Sequence, residues 1–433
     1  MNAPASLAFP PGFLWGTATS AHQVEGGNGG NDWADWEREP GRIRGGAVAG
    51  AACDFWRRAE DDLALAASFG TNAFRFSVEW SRVEPEEGRF DEAALARYAG
   101  WAARCRALGL EPMVCLHHFT LPRWLARRGG FAWSGSVERF ARLAEVVADA
   151  MAGRVRWWLT VNEPMVLAAL GFVQGVWPPG RHSVSEALRV ARHLVRAHAA
   201  AYHALHARQP DALVSAAHHL AVYLPHDPRS VLDRAVTWVR DRLMNRLFLE
   251  ATVEGRLAPP LGAGERVAEA VGSHDYIAFQ PYFTYPLAFS PANPGGLFAV
   301  ERHVPRPGAP PFMGEFRPEA PATWAERLAS YRLPLVVTEH GLLEAEERER
   351  PGFLVAALTG LHRALRHGAD LRGYFHWSLL DNFEWAEGFE ARFGLVHVDF
   401  ATQVRTPRRS AEVYGAIARA NGIPAELLVR PAA

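Results

Sequence analysis

Cysteine is scarce in this chain, which contains three in 433 residues: Cys53, Cys105 and Cys115. An odd number without Cys-x-x-Cys spacing argues against a disulfide framework and against a zinc site, and it favours reduced thiols. No HExxH motif or Cys/His cluster is present either. We therefore predict free cysteines, no bound metal and no cofactor.

An excess of charge of one sign is also lacking, because 46 Lys and Arg residues face 47 Asp and Glu residues. Such a chain has no overall field to attract nucleic acid or an anionic membrane. No apolar run approaches the length of a membrane span, and residues 1–13 lack the basic and apolar regions of a leader. We predict a soluble, cytoplasmic protein that binds neither nucleic acid nor membrane and whose partner is an uncharged small molecule.

Linkers, internal repeats and low-complexity segments are absent as well. Hydrophobic residues make up 49% of the sequence and charged residues 21%, which is the balance of a globular chain with a large core. Because a single large α/β domain can reach this length, we predict one domain over residues 1–433. The oligomeric state, monomer or homo-oligomer, stays open.

What the sequence does contain is an alternation of short apolar runs with longer amphipathic stretches, which is typical of βα units. The amphipathic stretches repeat apolar residues at three- and four-residue steps, as in Phe55, Ala59, Leu63 and Ala66. Residues 284–334 contain several Pro and Gly residues, and we expect them to form loop with a short helix. The eight apolar runs span residues 13–17, 73–78, 112–116, 157–161, 213–217, 276–279, 335–338 and 373–377.

Nearly every run leads to a side chain that can contact a ligand. A closed (β/α)8 barrel carries such residues at the carboxyl ends of most strands, whereas a doubly wound open sheet concentrates them at one switch point. We therefore predict an α/β protein with a single (β/α)8 TIM barrel, and the open sheet is the competing architecture. In chain order, these residues are Gln23, Glu25, Arg75, His117, His118, Asn162, Glu163, Gln280, Tyr282, Glu339, Trp377, Glu384 and Trp385.

Two of these residues are glutamates at the ends of β-branched runs, one in residues 160–164 (TVNEP) and one in residues 336–341 (VVTEHG). Buried carboxylates are costly unless they are paired or used. Runs four and seven are not neighbours in an eight-strand ring, so we expect Glu163 and Glu339 to face each other across the barrel mouth. Either glutamate alone would more often be a surface or ion-paired residue.

With further motifs, these segments resemble the family one glycoside hydrolases, the retaining β-glucosidases and β-glycosidases. The resemblance covers nearly the whole chain, from residues 13–16 (FLWG) to residues 392–395 (RFGL), and its motifs follow the family's order. It implies a (β/α)8 barrel that acts on β-glycosides or short oligosaccharides. The other motifs are Gln23-Val24-Glu25-Gly26, Arg75-Phe76-Ser77 and residues 376–385 (HWSLLDNFEW).

The resemblance also implies the catalytic roles. Glu163 corresponds to the general acid/base and Glu339 to the nucleophile of a two-step double displacement through a covalent glycosyl-enzyme. The family's Arg and Tyr near the nucleophile correspond to Arg75 and Tyr282, which favour the charged form of Glu339. Asn162 corresponds to the residue that contacts the sugar 2-hydroxyl.

The glycone site is carried over in the same way. Glu384 further favours a neutral sugar, because a carboxylate there repels a phosphorylated one. The expected substrates are terminal non-reducing β-D-glucosides, together with β-D-galactosides and β-D-fucosides. The residues that look like the hydroxyl-binding set and the aromatic walls are Gln23, His118, Asn162, Glu384, Trp377 and Trp385.

Five positions depart from the commonest family pattern. They leave both glutamates intact, but the sequence does not decide between gluco-, galacto- and fuco-configured sugars. We expect His340 to affect the pH profile. These positions are Phe119, Thr120, Gln280, Pro281 and His340.

Other aromatic and imidazole groups have structural interpretations. We assign Trp15, Trp80 and Trp101 to the core. We interpret His117, His218 and His219 as hydrogen-bonded structural residues, because no metal-ligand spacing accompanies them.

Two alternatives to hydrolysis stay open at this point. One is a non-catalytic glycan-binding relative, against which the two retained glutamates argue. The other is a transglycosylase, which would use the same residues to pass the sugar to an alcohol or another sugar.

Overall fold

The computed structural model describes residues 6–306, 308–310 and 313–428, and within them eight parallel strands close into a barrel. The eighth strand pairs with the first from Gly373 and Leu14 to Trp377 and Ala18, so the ring has no open edge there. The predicted (β/α)8 barrel is confirmed, and the competing open sheet is wrong. The strands are β1 Leu14–Ala18, β2 Ala73–Ser77, β3 Glu111–His117, β4 Trp157–Asn162, β5 Leu213–His219, β6 Ile277–Gln280, β7 Leu335–His340 and β8 Leu371–Trp377.

Helices follow the barrel strands and cover them, as the three- and four-residue apolar steps predict. Every helix within the described ranges is too short or too polar to span a bilayer. The principal helices are α1 Phe55–Ser68, α2 Glu92–Ala107, α3 Ser136–Ala150, α4 Val184–Arg208, α5 Leu247–Val253, α6 Ala320–Leu328, α7 Arg350–Arg366 and α8 Arg409–Ala420. The other α-helices are Ala21–Val24, Asp32–Trp36, Trp80–Val83, Arg123–Arg127, Pro164–Ala168, Val231–Asp241 and Ala425–Leu428.

The strands are mostly apolar because both of their faces are covered. Alternate residues from the ring, such as Met113, Leu159 and Phe375, form one cluster inside the barrel. Their neighbours, such as Val114 and Trp158, belong to a second cluster shared with the helices. The three cysteines are free and buried, and the three tryptophans assigned to the core are buried, as predicted.

The segment after β6 contains strands that the sequence did not predict. Residues 284–334 are mostly loop and contain a helix, α6, as expected, but three short β-strands also lie in or begin just before this segment. Phe283–Phe289 pairs in parallel with Val222–Pro225 and antiparallel with Ala299–Glu301 and Glu315–Phe316. A proline within a run argues against a strand with partners on both sides, and Pro286 lies in the middle of this one. Its partners are also distant in sequence, so no local pattern reveals them.

Two further strand pairs are peripheral. Leu7–Ala8 pairs with Gly422–Ile423, which joins the two ends of the described chain beside β1. Val396–Asp399 and Val404–Pro407 form a hairpin that follows the loop after β8.

A buried ionic cluster fixes the loop after β8. The carboxylate of Asp381 accepts hydrogen bonds from Arg408, at 2.7 and 2.8 Å, from Arg392 at 2.9 Å and from the N–H of Gly394 at 3.1 Å. Burial by itself would raise the pKa of Asp381, but the two guanidinium groups outweigh it and hold the pKa below its usual value. The loop therefore has a charged anchor three residues before Glu384.

We expect Asp381→Asn to lower the free energy of unfolding by about 3–5 kcal/mol, because it leaves the Arg408 guanidinium buried without its counter-charge. Urea-induced unfolding measures this change. The matched control is Glu86→Gln, which breaks an exposed pair with Arg89 and should cost ~0.5 kcal/mol or less. Equal effects of the two substitutions would contradict the anchoring role of Asp381.

Candidate active site

A cavity of about 1150 Å³, including its open mouth, lies at the carboxyl ends of the barrel strands. It brings together nine of the ten site residues predicted from the sequence, and the tenth, Arg75, is buried behind Glu339. The roles of these residues stay predictions, but the fold collects them in one place. The nine are Gln23, His118, Asn162, Glu163, Tyr282, Glu339, Trp377, Glu384 and Trp385.

Glu163 occupies a sharp turn between β4 and the helix Pro164–Ala168. Proline disfavours the right-handed helical region for the residue before it, and Glu163 adopts a left-handed backbone with φ of 44°. Its N–H donates to the carbonyl of Ala217 on β5 at 2.8 Å. An uncommon backbone of this kind costs about 1–3 kcal/mol, and here the neighbouring strand holds it in place.

The carboxyl group of Glu163 contacts a histidine that the sequence analysis did not assign to the site. Nδ1 of His219, at the end of β5, lies 3.2 Å from Oε1 of Glu163. His219 is hydrogen-bonded, as predicted, but it also lines the cavity beside Glu163, which the sequence analysis did not predict. Its position at the end of an apolar run was the signal that could have identified it.

Glu339 is held by a cation and a phenol. One carboxylate oxygen accepts a hydrogen bond from Nη1 of Arg75, and the other accepts one from the hydroxyl of Tyr282 at 3.0 Å. Burial raises the pKa of Glu339 to about 7, with the charge of Glu163 adding to the rise, while Arg75 and Tyr282 oppose it. Burial and the charge of Glu339 raise the pKa of Tyr282 well above its usual value, so Tyr282 stays a donor.

Arg75 also orients Asn162. Nη2 of Arg75 donates to Oδ1 of Asn162 at 2.6 Å, and Nε2 of Gln280 donates to the same oxygen at 2.9 Å. The Asn162 oxygen is therefore occupied, and its Nδ2 lies 3.3 Å from Nε2 of His118 in the cavity. Gln280, one of the departures from the family pattern, thus fixes the amide orientation of Asn162.

The glycone side of the cavity is built around Glu384. Nε2 of Gln23 donates to Oε2 of Glu384 at 3.1 Å and to Asn382 at 3.0 Å, while Oε1 of Gln23 accepts from Ser20 at 2.6 Å. Burial, followed by the charge of Glu339, raises the pKa of Glu384 to about 8, against hydrogen bonds from Trp377 and Gln23. These surroundings favour the protonated form of Glu384 in the free protein.

Aromatic rings line the same side. The ring of His118 stacks on those of Trp377 and Trp385, each at 6.0 Å between centroids. Burial, followed by the charge of Arg75, lowers the pKa of His118 well below its usual value, so the ring is neutral. Phe119 packs against Trp177 at 4.7 Å and Trp385 at 5.2 Å and continues this wall.

Thr120 and His340, two of the positions that depart from the family pattern, face away from the cavity. The hydroxyl of Thr120 donates to Glu79 at 2.9 Å. His340 bonds with Tyr374 at 3.0 Å and stacks on Phe353 of α7. Burial lowers the pKa of His340 to about 3, so the ring is neutral, and its position does not support the expected effect on the pH profile.

The other histidines interpreted as structural differ from one another. His117 is buried, but neither of its ring nitrogens has a hydrogen-bond partner in the described part of the chain, so the prediction of a hydrogen-bonded residue is wrong for it. His218 packs against Phe248 and His274. Over residues 6–306, 308–310 and 313–428, no group of three or more His, Cys, Asp or Glu side chains is placed to hold a metal ion.

A second arm of the cavity extends toward the four-stranded sheet. Tyr223 and Tyr285 stack there at 5.5 Å between centroids, and Arg240 lies 3.9 Å from Glu301. Met244 and Phe283 complete the arm, which combines aromatic faces with one ion pair. Glu163 and His219 also line the cavity.

Comparison with known proteins agrees with this geometry. The sequence model of the protein family Glycosyl hydrolase family 1 matches residues 5–263 and 327–423. β-Glucosidase A of Thermotoga maritima is 31% identical over 96% of this chain and 98% of its own. A β-glycosidase structure from Pyrococcus horikoshii has a TM-score of 0.90 and 36% identity over 98% of this chain and 97% of its own.

A structure of the family 1 β-glucosidase of Thermotoga maritima in complex with isofagomine lactam is also similar. Its TM-score is 0.90, with 29% identity over 96% of this chain and the whole of that chain. The matches cover nearly all of this chain and of each relative. From its barrel, its cavity and these relatives, the chain belongs to glycosyl hydrolase family 1 and is a β-glucosidase-type glycoside hydrolase.

Proposed function

We propose that this protein is a retaining β-glycosidase in which Glu339 is the nucleophile and Glu163 the general acid/base. The observation that carries the proposal is the unequal surroundings of the two glutamates in one cavity. Glu339 accepts hydrogen bonds from the guanidinium of Arg75 and the phenol of Tyr282. Both stabilise the ionised form that a nucleophile needs. Glu163 contacts an imidazole, that of His219.

In the first step, a carboxylate oxygen of Glu339 attacks the anomeric carbon while Glu163 gives its proton to the leaving oxygen. Arg75 and Tyr282 keep the attacking group charged and oriented until the bond forms. The product is a glycosyl-enzyme with inverted configuration at the anomeric carbon.

In the second step, Glu163 takes a proton from water, and the water oxygen displaces Glu339 from the sugar. The second inversion restores the β configuration. Asn162, which Arg75 and Gln280 orient, is placed to contact the sugar 2-hydroxyl through its amide nitrogen, an interaction that strengthens in the transition state.

The substrates that we propose are terminal non-reducing β-D-glucosides, together with β-D-galactosides and β-D-fucosides. A structure of the Thermotoga maritima β-glucosidase is in complex with isofagomine lactam, and its similarity to this chain supports a cavity that takes a small ligand. Gln23, His118 and Glu384 supply hydrogen-bonding groups, and Trp377 supplies an aromatic face.

We further propose that the chain forms one catalytic domain that acts in the cytoplasm without a metal or cofactor. The family match at both ends of the chain supports a single domain. All the groups of the proposed mechanism come from one chain, so catalysis needs no second copy. The two glutamates in the cavity argue against a purely glycan-binding role.

Glu339→Gly should lower hydrolysis of p-nitrophenyl β-glucoside by on the order of 10³-fold or more, because no nucleophile is left. Added azide should restore turnover and give the inverted α-glycosyl azide. Glu163→Ala with azide should give the retained β-glycosyl azide. Product analysis by NMR measures both results.

The control for Glu339→Gly and Glu163→Ala is Glu346→Ala, which removes an exposed glutamate in the loop after β7. Its rate of hydrolysis should stay within about twofold of that of the unsubstituted protein. Azide products of the opposite configuration would reverse the assigned roles. Activity that survives both substitutions would place the catalytic carboxylates elsewhere.

Tyr282→Phe should move the acidic limb of the kcat/KM profile upward by about one pH unit. The reason is that the limb reports ionisation of Glu339, and loss of the Tyr282 hydrogen bond raises the pKa of that carboxyl further. The measurement is kcat/KM against pH. Tyr202→Phe, which removes a hydroxyl bonded to Asp275, should leave the limb in place. An unchanged limb in Tyr282→Phe would contradict the assignment.

Phosphorylated sugars should be poor substrates. The single Arg or Lys among the described cavity-lining residues is Arg240, which pairs with Glu301 in the second arm. A 6-phosphate beside Glu384 would be buried without a counter-charge whether or not that carboxyl is protonated. We expect kcat/KM for p-nitrophenyl 6-phospho-β-glucoside to be about 100-fold or more below that for p-nitrophenyl β-glucoside, and equal values would contradict this expectation.

A further inference from the structure

We infer that His219 determines which oxygen of Glu163 carries the catalytic proton. The inference rests on the proposed function, because it concerns the general acid of that mechanism. Nδ1 of His219 lies 3.2 Å from Oε1 of Glu163. We assign the hydrogen to Nδ1, which then donates to Oε1, so the proton that reaches the leaving oxygen is on Oε2. His219 is thus a positioning residue that acts through Glu163.

The contact is largely shielded from water. The side chains of His219 and Glu163 are 12% and 11% exposed. In the described part of the chain, His219 is the single side chain hydrogen-bonded to the Glu163 carboxyl. Competition from water is therefore limited, and the orientation of this carboxyl depends on one protein partner.

Both residues are held by the barrel. His219 lies in register with Gln280 of β6, and its ring packs against Phe283 at 5.8 Å between centroids. The backbone of Glu163 bonds to Ala217, two residues before His219 on β5. The relative position of the two side chains is therefore set by adjacent strands.

The direction of this hydrogen bond follows from the chemistry of the acid. Either atom could be the donor in the contact between Nδ1 and Oε1, according to the His219 tautomer. If Nδ1 had no hydrogen, Oε1 would donate its proton to the imidazole and could not give it to the leaving oxygen. The proposed acid therefore requires the tautomer with hydrogen on Nδ1, in which Oε1 accepts and Oε2 carries the proton. The O–H bond of Oε2 breaks as the leaving oxygen takes its proton, the glycosidic C–O bond breaks, and a carboxylate oxygen of Glu339 bonds to the anomeric carbon.

The same contact serves the second step. After proton transfer Glu163 is a carboxylate, and a hydrogen bond from an N–H to a charged oxygen is stronger than one to a neutral oxygen. The carboxylate therefore keeps its orientation, with Oε2 directed at the attacking water. Catalytic groups need orientation within about 10–20° to be effective.

The test compares three substitutions on two aryl glucosides of similar size. In His219→Asn, the amide nitrogen is as many bonds from Cα as Nδ1 of histidine, so a correctly oriented amide can donate to Oε1. In His219→Gln the nitrogen is one bond further out, and His219→Leu has no donor. The substrates are phenyl β-glucoside, whose leaving group needs the acid, and 2,4-dinitrophenyl β-glucoside, whose leaving group does not.

We expect His219→Leu and His219→Gln to lower kcat/KM for the phenyl glucoside by about tenfold or more and that for the dinitrophenyl glucoside by about twofold or less. His219→Asn should stay within about threefold of the unsubstituted protein on both substrates. The quantity kcat/KM is chosen because it reports the first step, in which the acid acts.

An equal loss on both substrates would overturn the inference, because a purely structural role does not depend on the leaving group. His219→Asn behaving as His219→Gln would also overturn it, and this comparison holds even if His219→Leu does not fold. Glu163→Ala should show the same leaving-group dependence more strongly. If Glu163→Ala lacked this leaving-group dependence, the result would instead contradict the acid role of Glu163 in the proposed function.

Discussion

Three of the carboxyl groups that line the cavity, those of Glu163, Glu339 and Glu384, belong to the proposed catalytic and glycone sites, and one guanidinium, that of Arg75, bonds to one of these three. Burial disfavours the charged form of a carboxylic acid, so three ionised carboxylates in such a place need compensation. Arg75 bonds to Glu339, and the pKa of Glu384 rises to about 8. Placing the cation on Glu339 thus favours ionisation of that group over Glu384, and the rest of the site is arranged around this difference.

The barrel makes this arrangement possible because its strands meet at one mouth. Arg75 comes from β2, Asn162 ends β4, and Glu339 comes from β7, so one guanidinium links three strands that are not neighbours. The loop after β8 adds Glu384, and the Asp381 cluster anchors that loop to the residue before α8. Structural charges and proposed catalytic charges are therefore kept in separate clusters, each with its own arginine partners.

Much of this site was predictable from residues alone or with the family resemblance. Glu163 and Glu339 each close a β-branched run, and nine of the ten predicted site residues line one cavity. His219 was missed because an imidazole at a strand end looks the same whether it faces the helices or the cavity. His340 shows the opposite case, since it follows Glu339 directly but faces α7. A one-residue step along a strand reverses the side on which a side chain lies.

The sequence by itself determined the eight strands, the two glutamates and the family, because apolar periodicity and motif order are local properties of the chain. Tertiary structure alone decided the partners of each carboxyl, the pairing of Phe283–Phe289 with Val222–Pro225, and the contact between His219 and Glu163. These features join residues distant in sequence, and their distances depend on how the strands align when the ring closes. Burial, which sets the ionisation of Glu339 and Glu384, likewise exists only once the barrel has formed.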